Sequence, residues 1–211
     1  MSTRKDMTEP GGAQDDELLW LMMNGDEEAF AALYRRWQGG IYRFALQMSG
    51  SPSAAEDVTQ EVFLTLMRDA RNYDPGRGSL GAYLYGIARN QVLRWLERGR
   101  ADVPLSGAPE DGEEAGLPAS ADNPLGDLTR QETVEAVRRA VLALPPHYRE
   151  AVVLCDLEEM DYAAAAEVLE CSVGTVRSRL HRARGLLLEK LRVSAEKEAS
   201  LRKLNPARCL I

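Results

Sequence analysis

The 211 residues contain little of what marks secreted, membrane-spanning or metal-dependent proteins. No run of 18 apolar residues occurs, which excludes a helix that crosses a bilayer. The opening MSTRKDMTEPGG lacks the apolar stretch of a secretory signal, so a cytoplasmic location is expected. Cysteine is scarce and odd in number: Cys155, Cys171 and Cys209 are widely spaced and form no CxxC pair. That argues against a disulfide framework and against a zinc finger. Cys155 and Cys171 lie in or beside apolar helical stretches and read as small core residues. Cys209, third from the end, does not fit the four-residue prenylation box. The two histidines, His147 and His181, have no sequence neighbours that suggest a triad or a metal site. There is also no P-loop and no nucleotide-binding GxGxxG, so neither an enzymatic role nor a cofactor nor a metal is expected.

Basic residues are missing from one long stretch. Residues 1–100 carry 12 basic and 14 acidic side chains, residues 101–129 none and 7, and residues 130–211 carry 14 and 12. The middle segment therefore holds a deficit equal to the whole net charge of −7. Its acids are Asp102, Glu110, Asp111, Glu113, Glu114, Asp122 and Asp127, among prolines, glycines and few large apolar residues. Such a segment buries too little surface to offset chain entropy and reads as a flexible acidic linker between two small domains. Inside the domains the basic residues are concentrated. Residues 68–100 hold seven Arg against Asp69, Asp74 and Glu97, and residues 171–193 hold Arg177, Arg179, Arg182, Arg184, Lys190 and Arg192 against Glu189. Two basic segments in an acidic chain suit two contacts with a polyanion, or else two solvated helix faces.

Alternating apolar and polar runs are missing as well, and apolar residues recur at three- and four-residue spacing, so the chain is expected to be all-α. Helices are predicted near 15–24, 26–48, 53–72 and 80–98, and near 129–143, 146–156, 161–169 and 173–193. On a wheel of residues 173–191, Val176, Leu180, Ala183, Leu187 and Leu191 cluster within about 80° and face a core. Arg177, Ser178, His181 and Arg182 lie opposite, with Arg179 and Arg184 at the flanks. Ser172 is placed to cap this helix, and Gly174-Thr175 keeps its first turn slim. The preceding short helix puts Tyr162, Ala165, Ala166 and Leu169 on one face, completing a helix-turn-helix. A basic helix of this kind fits the major groove, where Arg pairs with guanine edges and other cations meet phosphates.

The string from Val173 to Arg184, VGTVRSRLHRAR, resembles the DNA-binding region 4 of extracytoplasmic-function (ECF, group four) sigma factors of the sigma-70 family. So does LALPPHYRE, Leu142–Glu150, which resembles that region's opening. In the first half, Ala55–Phe63 (AEDVTQEVF) resembles the family's core-polymerase-binding helix, and Tyr83–Asn90 (YLYGIARN) its promoter-melting helix. The resemblance implies a sigma region 2 domain at 15–100, an acidic linker at 101–129, a sigma region 4 domain at 130–193 and a tail at 194–211 beyond the family's usual end. It implies a non-enzymatic transcription initiation factor that binds core RNA polymerase through the clamp coiled coil of the largest subunit. Promoter DNA and an anti-sigma factor are the other implied partners. The alternative is a stand-alone helix-turn-helix regulator. The chain departs from the family at Ala163, Ala164 and Ala165, where acidic and bulky aliphatic residues are usual, which leaves a smaller core.

The wheels of the first half agree with that division. Over residues 56–70, Val58, Val62, Phe63, Leu66, Met67 and Ala70 fill one half, and Asp57, Gln60, Glu61, Leu64 and Arg68 the other. Leu64, an apolar side chain in a charged ring, has the form of a small interface core with a polar rim. Over residues 83–98, Leu84, Ala88, Val92, Trp95 and Leu96 point inward, and Tyr83, Ile87, Asn90, Arg94 and Arg98 share the outer face. An aromatic ring, an amide and guanidinium groups suit single-stranded DNA of a minus-ten element, although Tyr83 can equally cover the layer beneath it. The Gly-rich loop Asp74–Gly81 allows close backbone approach to an extruded base. Thr175, Arg177, Ser178, Arg179, His181, Arg182 and Arg184 are the corresponding candidates for a minus-thirty-five element. In the linker, Glu110, Asp111, Glu113 and Glu114 are candidates for phosphate mimicry inside a basic polymerase channel.

Overall fold

A computed structural model describes the backbone of residues 12–101 and 124–204, and the side chains of residues 14–99 and 133–193. The linker acids Asp102, Glu110, Asp111, Glu113, Glu114 and Asp122, and the residue Cys209, lie outside the described residues. The first half folds as α1 (Gly12–Met23), α2 (Glu27–Ser49), α3 (Pro52–Asp69) with a 3-10 turn at Ala70–Asn72, and α4 (Leu80–Ala101). The second half folds as α5 (Pro124–Leu142), α6 (Pro146–Val152), which runs on as a π-helical turn at Val153–Leu157, α7 (Tyr162–Val168) and α8 (Val173–Leu204). Among the described residues there is no strand.

Local chemistry sets these boundaries. Asp26 caps α2 by accepting from the Glu28 and Ala29 amides at 2.9 and 3.1 Å. Gly50 ends that helix at φ +73°, a left-handed conformation that glycine adopts without a Cβ penalty. Ser51 then caps α3 with Pro52 in its first turn. Asp161 caps α7 through the Ala163 and Ala164 amides at 2.7 and 2.9 Å.

Three boundaries differ from the sequence expectation. Helix α5 begins at Pro124, inside the stretch assigned to the linker, because proline is well suited to a first helical turn. Helix α8 continues from 193 to Leu204, since residues 194–204 contain strong helix formers and neither Gly nor Pro. The helix expected over 146–156 changes to π-helical spacing after Val152.

Helices α2, α3 and α4 enclose Leu33, Ile41, Phe44, Met48, Val62, Leu66, Leu84 and Val92, all buried. Helices α6, α7 and α8 enclose Ala151, Val152, Leu154, Val168, Val176, Leu180 and Ala183. The two cores join into one apolar cluster, with α7 packed on α4 and the π-helical turn on α2.

Candidate nucleic-acid interface

Helix α8 presents the face that the wheel anticipated. Val176, Leu180 and Ala183 are buried, Leu187 and Leu191 half-buried, and Arg177, Ser178, His181 and Arg182 exposed. The Ser172 hydroxyl accepts from the Thr175 amide at 3.2 Å and lies 3.0 Å from the Thr175 hydroxyl, which fixes the start of the helix. Thr175 and Arg179 are half-buried at the edge of the face. Of the face shared by Tyr162, Ala165, Ala166 and Leu169, the last three are buried while Tyr162 is 37% exposed, with the Arg177 guanidinium 5.8 Å from its ring centroid. Val168 is buried as well.

Arg184 stands apart from its neighbours. Its guanidinium meets the Asp156 carboxylate through two bonds of 3.1 and 2.6 Å, and this pairing raises its pKa. The residue expected to contact phosphate is thus engaged within the domain, joining α8 to the π-helical turn.

Helix α4 carries the other candidate DNA face. Asn90, Arg94 and Arg98 are exposed, and Ile87 is half-buried beside them. Tyr83 is half-buried, its ring centroid 5.6 Å from that of Tyr73, and burial raises its hydroxyl pKa. Its ring belongs in part to the hydrophobic layer. The loop ahead of α4 is pinned by the Tyr73 hydroxyl, which donates to Asp16 at 2.8 Å and to the Gly78 carbonyl at 3.2 Å.

A third surface lies between α2 and α3. Phe30, Tyr34, Tyr42 and Phe63 floor a groove of about 680 Å³, with Thr59, Gln60, Leu64 and Met67 along its wall. Asp57, Gln60 and Arg68 are exposed and Glu61 half-buried, with Arg68 4.0 Å from Glu61 and 3.1 Å from Asp69. Leu64 is 47% exposed. Met67 corrects the wheel: it was expected in the core and is 59% exposed, because Phe63 and Leu66 already fill the space against α2 and α4. The apolar centre of this surface is therefore wider than Leu64 alone.

Known proteins share this arrangement and its order along the chain. Residues 33–101 match the family model of sigma-70 region 2, and residues 134–187 that of sigma-70 region 4. The RNA polymerase sigma-H factor of Pseudomonas aeruginosa is 33% identical over 175 residues, covering 81% of this chain and 90% of that one. The chain belongs to the ECF sigma factors of the sigma-70 family. The ECF RNA polymerase sigma factor SigE of Mycolicibacterium smegmatis is 35% identical over 170 residues, which cover 79% of this chain but 64% of that longer one. The sigma factor RpoE of Bartonella quintana, solved in complex with the anti-sigma factor NepR, matches with a TM-score of 0.58 at 25% identity. That match covers 78% of this chain and 97% of RpoE. The family is one of transcription initiation factors, in which region 4 supplies a DNA-binding helix-turn-helix. No described helix of this sigma factor is long and apolar enough to cross a membrane.

Residues that tie the two domains together were not singled out in the sequence. Arg43, Tyr85, Arg89, Arg149, Glu150 and Glu158 form contacts between the halves. The apolar run Ala151–Leu154 that follows Glu150 is the one local signal that could have marked a buried carboxylate.

Proposed function

We infer that the chain binds core RNA polymerase in the cytoplasm and directs it to a class of promoters. The first domain, residues 15–100, docks on the clamp coiled coil of the largest subunit through Asp57, Gln60, Glu61, Leu64 and Arg68. Its α4 face, Tyr83, Ile87, Asn90, Arg94 and Arg98, reads and opens the minus-ten element. The second domain, residues 130–193, reads the minus-thirty-five element through Thr175, Arg177, Ser178, Arg179, His181 and Arg182, with Arg184 at its border. The segment 101–129, whose last residues from Pro124 belong to α5, connects them, and an anti-sigma factor controls access to core, a reading supported by the NepR complex of the related RpoE.

The observation that carries this reading is the coexistence of three exposed surfaces on one chain. A stand-alone regulator needs the α8 face, but neither the apolar groove of α2 and α3 nor the Asn90 face.

Run-off transcription with reconstituted holoenzyme on a promoter library tests the assignment. Asn90→Ala separates the steps, because an amide that meets its base only after strand separation leaves closed-complex formation intact and reduces open complex. Permanganate footprinting reads this directly. Normal thymine reactivity in the variant removes Asn90 from the site, and absence of specific transcripts with the unaltered chain overturns the reading.

A further inference from the structure

Contacts between the two domains run through residues that the three surfaces leave unused. The Glu158 side chain, just past the π-helical turn, is only 5% exposed. It accepts from Arg43 Nε at 3.1 Å, Arg43 Nη2 at 3.0 Å and the Tyr85 hydroxyl at 3.1 Å. Glu150, 3% exposed, accepts from Arg89 Nε at 2.9 Å. The Arg149 guanidinium crosses in the same direction to the Met48 carbonyl at the end of α2, and holds the Leu142 and Leu144 carbonyls of its own domain. Glycines let the halves approach: a Cβ on Gly40 would lie 3.4 Å from Glu158 Oε2, and one on Gly50 3.1 Å from Leu142 Cδ1.

Two nearly buried carboxylates whose bonds all cross a domain boundary are unusual, because each loses its hydration and regains it as hydrogen bonds only when the domains are docked. The docking also has a defined geography. The Glu167 carboxylate of α7 lies against Gly78, 3.1 Å from its Cδ to a Cβ built there, in the loop ahead of the Asn90 face. Helix α7, which leads into the α8 reading helix, packs on α4 itself. The groove of α2 and α3, in contrast, is lined by first-domain residues alone.

We propose that the free chain latches itself closed: Glu158 on Arg43 and Tyr85, and Glu150 on Arg89, hold the helix-turn-helix domain on the first domain and compete with the separated placement that holoenzyme and promoter require. Glu167 on the Gly78 loop occupies the approach to the melting face while the latch is shut. The closure itself does not depend on the sigma-factor function; only its consequence for core and promoter rests on that reading.

Small-angle scattering of the full chain tests the latch. A compact chain of this length has a radius of gyration of about 17 Å, and release of one domain on a tether adds more than about 3 Å. Arg43→Glu and Glu158→Arg should each expand the chain, and the two together should compact it again. Arg43→Ala, on an exposed α2 side chain, gives the same result without adding a charge. If all of these variants match the unaltered chain in size, or the swapped pair stays expanded, the latch is refuted with the sigma-factor reading untouched.

Titration with core polymerase tests the competition. A closed majority taxes apparent affinity by the open fraction, so the expanded variants should bind core about threefold tighter or more, and the swapped pair should return to the original value. Expansion without any gain in core affinity refutes the competition. Transcription by the unaltered holoenzyme reports on the sigma-factor reading independently of either result.

Discussion

Leu64→Asp gives the most direct measure of the groove between α2 and α3. In the free chain about half of the Leu64 side chain remains exposed, so docking has that half left to bury. Complete burial of a leucine contributes about 1.5–3 kcal/mol, which makes the Leu64 share about 1 kcal/mol. Aspartate removes this share and brings a carboxylate against a floor of Phe30, Tyr34 and Phe63. Desolvating a polar group without a partner adds about 1–3 kcal/mol more. The sum, about 2–4 kcal/mol, weakens core binding by about thirtyfold to a thousandfold. Folding should be nearly unaffected, within about 0.5 kcal/mol, because the side chain is already at the surface. Fluorescence titration of labelled chain with core polymerase reads the first effect and a thermal melt the second. Core affinity within threefold of the original, at unchanged melting temperature, would refute the assignment of this surface. Met67→Asp should act in the same direction, since its side chain is more exposed still.

The Arg184–Asp156 pair separates base reading from backbone contact on α8. Asp156→Asn frees the guanidinium and should steepen the dependence of DNA binding on salt by about one phosphate contact, alike on every sequence. Arg182→Ala should instead cost about 1–3 kcal/mol and relax preference at one base position, as measured by binding to a promoter library. Glu170 has φ +50° in the turn of the helix-turn-helix, a conformation costly for a residue with a Cβ. Glu170→Gly should therefore raise stability by about 0.5–1 kcal/mol in denaturant unfolding. Burial, with Asp156 adding to it, pushes the Cys155 thiol up to about 11. It should alkylate about a hundredfold more slowly at neutral pH than an unperturbed thiol, and gain reactivity only as the pH approaches that value.

The parts of this molecule that were legible in the sequence are those governed by periodicity within one helix. Val176, Leu180 and Ala183 inward and Arg177, Ser178, His181 and Arg182 outward follow from the 3.6-residue repeat, and so do Val58, Val62 and Leu66 in α3. Ser172 announced the start of α8 through a side-chain oxygen that reaches the amide three residues on. What periodicity could not supply was the partner on the other side. Met67 and Tyr162 occupy positions at the edge of an apolar stripe, where a few degrees of rotation and the volume of a neighbour decide exposure. The domain contacts were illegible for a related reason. Arg43 and Glu158 are 115 positions apart, and each alone looks like an ordinary charged residue on a helical stretch.

The second domain also shows why net charge was a weak guide. Residues 130–211 sum to nearly neutral, yet their charges are sorted in space. Glu150, Glu158 and Glu167 line the side that meets the first domain, while Arg177 and Arg182 face away from the core on α8. The two sets respond differently to salt. Exposed arginines that contact DNA lose affinity steeply as counterions compete, whereas the carboxylates of Glu150 and Glu158 are almost withdrawn from solvent and little screened. Raising ionic strength therefore weakens promoter contact before it weakens the contact between the domains. A chain with the same composition but the acids spread over the outer surface would give neither property. The distribution follows from which side of each helix its acids occupy, not from the total.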